Sequence, residues 1–172
     1  MDPMESIDGL IEKAEKIATE AHYGQTRWGG QPYITHPKAV ADSVLPPLYK
    51  VVAWLHDVVE DSEYTLVDLR QEGFPMAIVE AVDCLTRRKD EDESYFDFIM
   101  RLRTNVPASL VKIADINHNL RDLNKGSLKD KYELAAYIIV KELESAGINV
   151  YDQFSPEAMR LDNQEPKTNE SE

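Results

Sequence analysis

Four positions of the chain carry side chains that one metal ion can share: His36 in "PYITHP", the adjacent His56 and Asp57 in "WLHDVVED", and Asp115 in "VKIADINHNLRDL". The second stretch adds Glu60 and Asp61, so an imidazole and three carboxylates crowd into an otherwise apolar run. On a helix Asp57 faces Glu60 at i+3 and Asp61 at i+4, which lets all of them border one cleft. Buried together, such carboxylates repel one another and take up protons unless a cation offsets them. A polar helix end reaching solvent accounts for the "HD" pair taken alone. It does not account for His36 at a loop-to-helix junction, or for Asp115 among Val111, Ile113, Ala114 and Ile116. Two imidazoles and two carboxylates form a mixed nitrogen and oxygen set suited to Mn²⁺, Fe²⁺ or Zn²⁺, with water completing the shell.

The elements that must bring these positions together read as helices. Ile7, Leu10, Ile11, Ala14, Ile17, Ala18 and Ala21 form one helical stripe, which predicts a first helix over about residues 4 to 22. The loop "YGQTRWGGQPYITH" follows. Pro37, Pro47, Pro75 and Pro107 each open a helix-compatible run, because proline's missing N–H breaks no bond in a first turn. Thr65 with Asp68, and Ser94 with Asp97, have the spacing of reciprocal N-terminal caps. "PPLYKVVAWLHDVVEDS" predicts a single central helix from about Pro47 to Asp61, apolar over most of its circumference. With 172 residues, 42% of them hydrophobic, the chain is long enough for one domain with a proper core. No repeats and no alternating strand pattern occur. The expected architecture is all-α, a bundle of about seven or eight helices over residues 1–149, followed by a polar, acidic tail over 150–172.

Charge narrows the partners. Nineteen Lys and Arg against 32 Asp and Glu give a net charge of -13, a field that repels nucleic acid and anionic membrane. An anionic substrate must therefore be met by local cations. The single Cys84 forms no internal disulfide, and "MDPMESIDGL" has neither the basic start nor the apolar stretch of a signal peptide, so a cytoplasmic protein is expected.

The order His36, His56-Asp57, Asp115 resembles the H…HD…D signature of the HD-domain metal-dependent phosphohydrolases, an all-α superfamily. "AHYGQTRWGGQPYITHP", "WLHDVVEDSEYTLVDL" and "VKIADINHNLRDL" resemble more closely the alarmone hydrolase domains of the RelA/SpoT type and their small stand-alone relatives, over about residues 10 to 140. The resemblance implies a phosphohydrolase that removes the 3′-pyrophosphate of guanosine alarmones, (p)ppGpp. Another nucleotide or cofactor phosphate is the alternative substrate, and a non-catalytic binding module the alternative class. It implies that His36, His56, Asp57 and Asp115 bind one divalent metal, Mn²⁺ in first place, with Fe²⁺, Zn²⁺ or Mg²⁺ as alternatives. Glu60 and Asp61 match the family's catalytic pair, and Arg27 and Asn119 match substrate-contacting positions. The chemistry is coherent, since a metal acidifies water while a neighbouring carboxylate takes its proton. The implied partner is a small nucleotide, with the oligomeric state left open. The chain is too short for the family's synthetase domain to be expected in it.

One stretch departs from the family. Where many members have consecutive basic residues after "GQ", this chain reads "TRWGG", with Trp28 offering an indole for stacking on a base in place of a cation. Lys112, Arg121, Arg87, Arg88 and Lys131 read as solvated surface charges. His22 and His118 read as non-ligands. Tyr132 and Tyr137 read as core residues of the helix that closes the cleft.

Overall fold

The Ser6 side chain accepts the Gly9 N–H and so caps α1 (Ile7–Ala21), which buries Leu10, Ala14, Ile17 and Ala18 along one stripe. The computed structural model describes residues 6–123 and 125–160. Nine further helices follow: α2 (Thr35–Ser43), α3 (Pro47–Leu55), α4 (Val58–Asp61), α5 (Leu66–Gln71), α6 (Met76–Leu85), α7 (Tyr95–Leu102), α8 (Val106–Leu120), α9 (Ser127–Ser145) and α10 (Pro156–Arg160). Short 3₁₀ turns occupy Lys89–Glu91 and Tyr151–Gln153. The expected all-α class holds: no strand occurs among the described residues, only two isolated bridges. The expected caps form as well. Thr65 and Asp68 make a reciprocal capping box, and Ser94 accepts from the Asp97 N–H.

Helix α3 is the centre. Val51, Val52, Ala53, Trp54 and Leu55 are buried in succession, because α1, α2, α6 and α8 surround the helix on all sides. At about 1.5–3 kcal/mol for each large apolar side chain buried, this fixes the C-terminal end of α3 within the core. Helix α8 lies against α2, α3 and α6, so its buried face meets the end of α3.

Two boundaries differ from the sequence expectation. The helix expected from Pro47 to Asp61 breaks after Leu55 and resumes at Val58. The cause is local: His56 Nδ1 lies 2.6 Å from the Ala53 carbonyl oxygen, the acceptor that residue 57 needs to continue the helix. The second difference lies at the far end. Packed chain continues beyond 149, with Val150 and Phe154 buried and the segment tied to the α2–α3 turn by Leu45 N–H to Gln153 O (2.8 Å) and Ser155 N–H to Ser43 O (2.8 Å). Two isolated apolar residues in a polar stretch carry no periodicity, which is why composition alone marks the segment as tail. The remainder of the expected tail, 161–172, lies outside the described residues, as do residues 4 and 5 of the expected first helix. No helix among the described residues is long and apolar enough to cross a membrane.

Candidate active site

Three of the four expected metal ligands, His36, His56 and Asp115, come together from three elements, and Asp57 stands beside them. His36 enters at the first turn of α2, His56 and Asp57 form the break between α3 and α4, and Asp115 lies in the buried face of α8. His36 Nε2 is 3.3 Å from His56 Nε2, 3.0 Å from Asp115 Oδ1 and 3.6 Å from Asp57 Oδ2. His56 Nε2 is 3.0 Å from Asp57 Oδ2 and 4.0 Å from Asp115 Oδ1. Donor atoms held about 2.1 Å from one cation sit about 3.0 Å apart at adjacent octahedral corners, about 3.4 Å apart on a tetrahedron and about 4.2 Å apart at opposite octahedral corners, so the shorter separations match shell edges and the 4.0 Å one lies near the octahedral diagonal. His36, His56 and Asp115 are buried, with ligand atoms all within 4.8 Å of one another. Asp57, partly exposed, extends the group toward solvent.

Neighbours aim each ligand. The Ala53 carbonyl takes the Nδ1 side of His56 and turns Nε2 inward. Tyr33 donates its hydroxyl to Asp57 Oδ2 at 2.7 Å, Lys112 donates to Asp115 Oδ2 at 2.7 Å, and the Asn119 amide donates to Asp115 Oδ1 at 2.7 Å. The field is correspondingly steep. Burial opposes charge on His56, yet Asp57 and Asp115 outweigh it and raise the imidazole to about 9. Burial likewise opposes ionisation of Asp57 and Asp115, but His56 holds the first, and Lys112 with His36 the second, well below the usual carboxylate range. Such a field retains a positive charge at the centre, and a divalent cation satisfies it by displacing protons.

Around this centre lies a cavity of about 300 Å³ whose wall carries Arg27, Arg87, Lys89, Lys112 and Lys131. Lys112 and Arg87 are therefore not the solvated surface charges that the sequence suggested, whereas Lys131 is exposed as expected and borders the cavity from its open side; Lys112 is held inside by its ion pair with Asp115, at the i, i+3 spacing that pairs side chains on one helix face. Glu60 is at the rim, gripped by Lys89 Nζ at 2.6 Å and by the Arg87 N–H at 3.0 Å. Asp61 reaches solvent and does not line this cavity; partial desolvation by its surroundings, then the charges of Asp57 and Glu60, raises its carboxyl above the ordinary value.

Arg27 and Trp28 share a tight turn closed by Arg27 N–H to Gln31 O (2.8 Å) and Gly30 N–H to Arg27 O (3.0 Å). Gly29 and Gly30 supply the left-handed backbone, φ 93° and 83°, that this reversal needs. The turn sends Arg27 inward, where it donates to Asn119 Oδ1 and Asp122 Oδ2 at 3.1 Å each, and leaves Trp28 78% exposed. Trp28, Leu123 and Tyr132 line an adjoining cavity of about 260 Å³ that meets the first at Arg27, Tyr33, Asn119 and Tyr132. Tyr132 packs against the core as expected and also forms part of this cavity's wall, whereas Tyr137 is exposed.

The remaining histidines lie outside the ligand group. His22 is buried against Tyr33, ring centroids 4.7 Å apart, with Nδ1 2.9 Å from Gln25 Oε1. His118 sits behind His36, on its Nδ1 side, and burial, His36 and Arg27 lower its imidazole to about 4. Sequence reasoning missed Tyr33, Lys112 and His118 as partners of the site. The signal was available for the last two, which stand three residues before and after Asp115 on one helix.

No family model matches the chain. Over 127 residues it is 39% identical to the guanosine-3′,5′-bis(diphosphate) 3′-pyrophosphohydrolase of Haemophilus influenzae, covering 66% of this chain and 18% of that protein. It is 39% identical over 131 residues to the bifunctional (p)ppGpp synthase/hydrolase SpoT of Escherichia coli, covering 69% and 18%. It is 34% identical over 124 residues to a GTP pyrophosphokinase of Streptomyces coelicolor, covering 66% and 14%. The chain therefore spans less than a fifth of the length of these relatives. A solved structure, described as a metazoan ortholog of SpoT that hydrolyzes ppGpp, matches with a TM-score of 0.64 at 22% identity, covering 89% of this chain and 92% of that one. That likeness establishes a shared helical fold.

Proposed function

We propose that this relative of the SpoT/RelA-type (p)ppGpp proteins is a metal-dependent phosphohydrolase of the HD type that removes the 3′-pyrophosphate of guanosine alarmones. His36, His56, Asp57 and Asp115 hold its single divalent cation, with Mn²⁺ in first place ahead of Fe²⁺, Zn²⁺ and Mg²⁺. The observation that carries the reading is the convergence of the His36, His56 and Asp115 ligand atoms, at separations of 3.0 to 4.0 Å, with Asp57 Oδ2 3.0 Å from His56 Nε2 and 3.6 Å from His36 Nε2, beside a cavity walled by five cationic side chains. When bound, the cation acidifies water and neutralises phosphate charge.

The chain's own residues do the rest. Arg27 offers a planar fork of N–H donors to the pyrophosphate, and Asn119 holds that fork in place. Lys131, Arg87 and Lys89 complete a local positive wall inside a protein of net charge -13, which supports a small nucleotide rather than nucleic acid or an anionic membrane as partner. Water attacks the phosphorus bonded to the 3′ oxygen, that P–O bond breaks, and pyrophosphate departs with the new oxygen. Glu60 takes the water proton and returns it to the 3′ oxygen, with Asp61 shaping the field from outside the cavity. The adjoining cavity takes the base, between Trp28 and Tyr132.

The test is product analysis. With guanosine 3′,5′-bis(diphosphate) and Mn²⁺, pyrophosphate and GDP are expected in equal amounts, and none in chelator. No alarmone turnover with any of the four metals, beside good turnover of a simpler phosphate ester, overturns the alarmone assignment and leaves the phosphohydrolase class.

A further inference from the structure

Both candidate histidine ligands turn Nε2 toward the common centre, so each needs an acceptor for the proton on its Nδ1 side. His56 has the Ala53 carbonyl at 2.6 Å. Among the described residues, the partner on that side of His36 is neither a carbonyl nor a carboxylate but His118 Nδ1, at 2.8 Å. Two imidazoles joined nitrogen to nitrogen along their lone-pair axes at hydrogen-bond distance have ring centroids about 5 Å apart. The observed centroid separation of 4.9 Å marks an in-plane bond, close to collinear.

One proton occupies that bond, and its position matters. On His118, it leaves His36 to carry its own proton on Nε2, where the cation belongs. On His36, it frees Nε2 for coordination. Arg27 favours the second arrangement. Its Nη1 lies 2.8 Å from His118 Nδ1 and 3.4 Å from Nε2 of the same ring. Along the Nδ1 lone pair the far nitrogen lies about 5 Å away, so the guanidinium sits over the ring face and leaves the edge to His36.

We infer that His118 is a positioning residue: its Nδ1 accepts the Nδ1–H of His36, fixes the tautomer whose Nε2 faces the cation, and joins that ligand to Arg27 stacked on the same ring. The inference rests on the reading of His36 as a metal ligand. It gives α8 two tasks, since Asp115 faces the centre while His118, one turn on, supports the ligand opposite.

The test uses Mn²⁺ alone, titrated calorimetrically into the full chain. His118→Leu removes the acceptor and is expected to weaken binding about 10- to 100-fold. His118→Asn places a carboxamide oxygen near the Nδ1 position and is expected to stay within about threefold of wild type. Melting in chelator should be alike for the two variants, separating ligand support from packing. Wild-type affinity in His118→Leu, or equal losses in both variants, overturns the proposal while leaving the metal reading intact. Absence of Mn²⁺ binding to the wild type overturns the metal reading and this proposal with it. Nitrogen-15 spectra of the Zn²⁺-loaded wild type give a check independent of variant folding: His118 should carry its proton on Nε2, and a His118 protonated on Nδ1 overturns the proposal.

Discussion

Arg101 and the His36–Asp115 group are both charged clusters set into the helical core, and they are wired in opposite ways. Arg101 meets Glu93 through two hydrogen bonds of 2.7 and 3.0 Å and donates to the carbonyls of Asp83, Cys84 and Thr86 at 3.0 to 3.4 Å. Every contact there pairs a donor with an acceptor, and the result pins the 86–94 loop to α7. In the cleft, two imidazole nitrogens and two carboxylate oxygens lie close together, with donors behind the carboxylates and acceptors behind the imidazoles. A cluster that completes its own hydrogen bonds stabilises the fold; one that aims its acceptors at a shared point binds something positive.

The largest effect that should separate the two is Asp57→Ala. Removing one of four ligands is expected to weaken Mn²⁺ binding at least about 10³-fold in calorimetry while the helical spectrum is kept. Retained affinity removes Asp57 from the ligand set. Glu60→Gln should keep both metal and fold and slow alarmone turnover by about 10²-fold, as removal of a proton acceptor does; near-normal turnover assigns Glu60 a structural role.

The opposite pattern is expected at the other cluster. Arg101→Ala should lower unfolding free energy by about 2 kcal/mol in denaturant titrations, because Glu93 and three carbonyls lose their donor, and should leave Mn²⁺ affinity within about threefold of wild type. A smaller effect follows from acid. Hydrogen bonds from Arg101, and from the Arg88 N–H, hold the Glu93 carboxyl down at about 2 against an ordinary value of 4.5. A depressed value contributes stability that is present above about pH 4.5 and lost as pH falls toward 2. That acid-side loss, seen in urea midpoints at successive pH values, should be reduced in Glu93→Gln.

The site was legible in the sequence where one residue type in an unexpected setting carries the signal. Asp115 inside an apolar helical run, and His56-Asp57 at the end of a buried one, are costly unless used, and the structure brings Asp115 and His56 together with His36 and sets Asp57 beside them. The turn at His56 was not legible, because a side chain that competes for the Ala53 carbonyl leaves the apolar spacing of α3 unchanged. Lys112 was misread for a related reason: composition gives the net charge, but only packing decides that this side chain points into the core toward Asp115. The burial of Val150 and Phe154 depends on partners a hundred residues away, at Ser43 and Leu45, and no local pattern encodes it.

Crystals grown with Mn²⁺ and measured across the manganese edge give the most direct test of the central claim. One anomalous peak per chain is predicted, about 2.0 to 2.3 Å from His36 Nε2, His56 Nε2, Asp57 Oδ2 and Asp115 Oδ1. An ordered site with no peak, or a peak held by other residues while any two of these four side chains point elsewhere, contradicts it.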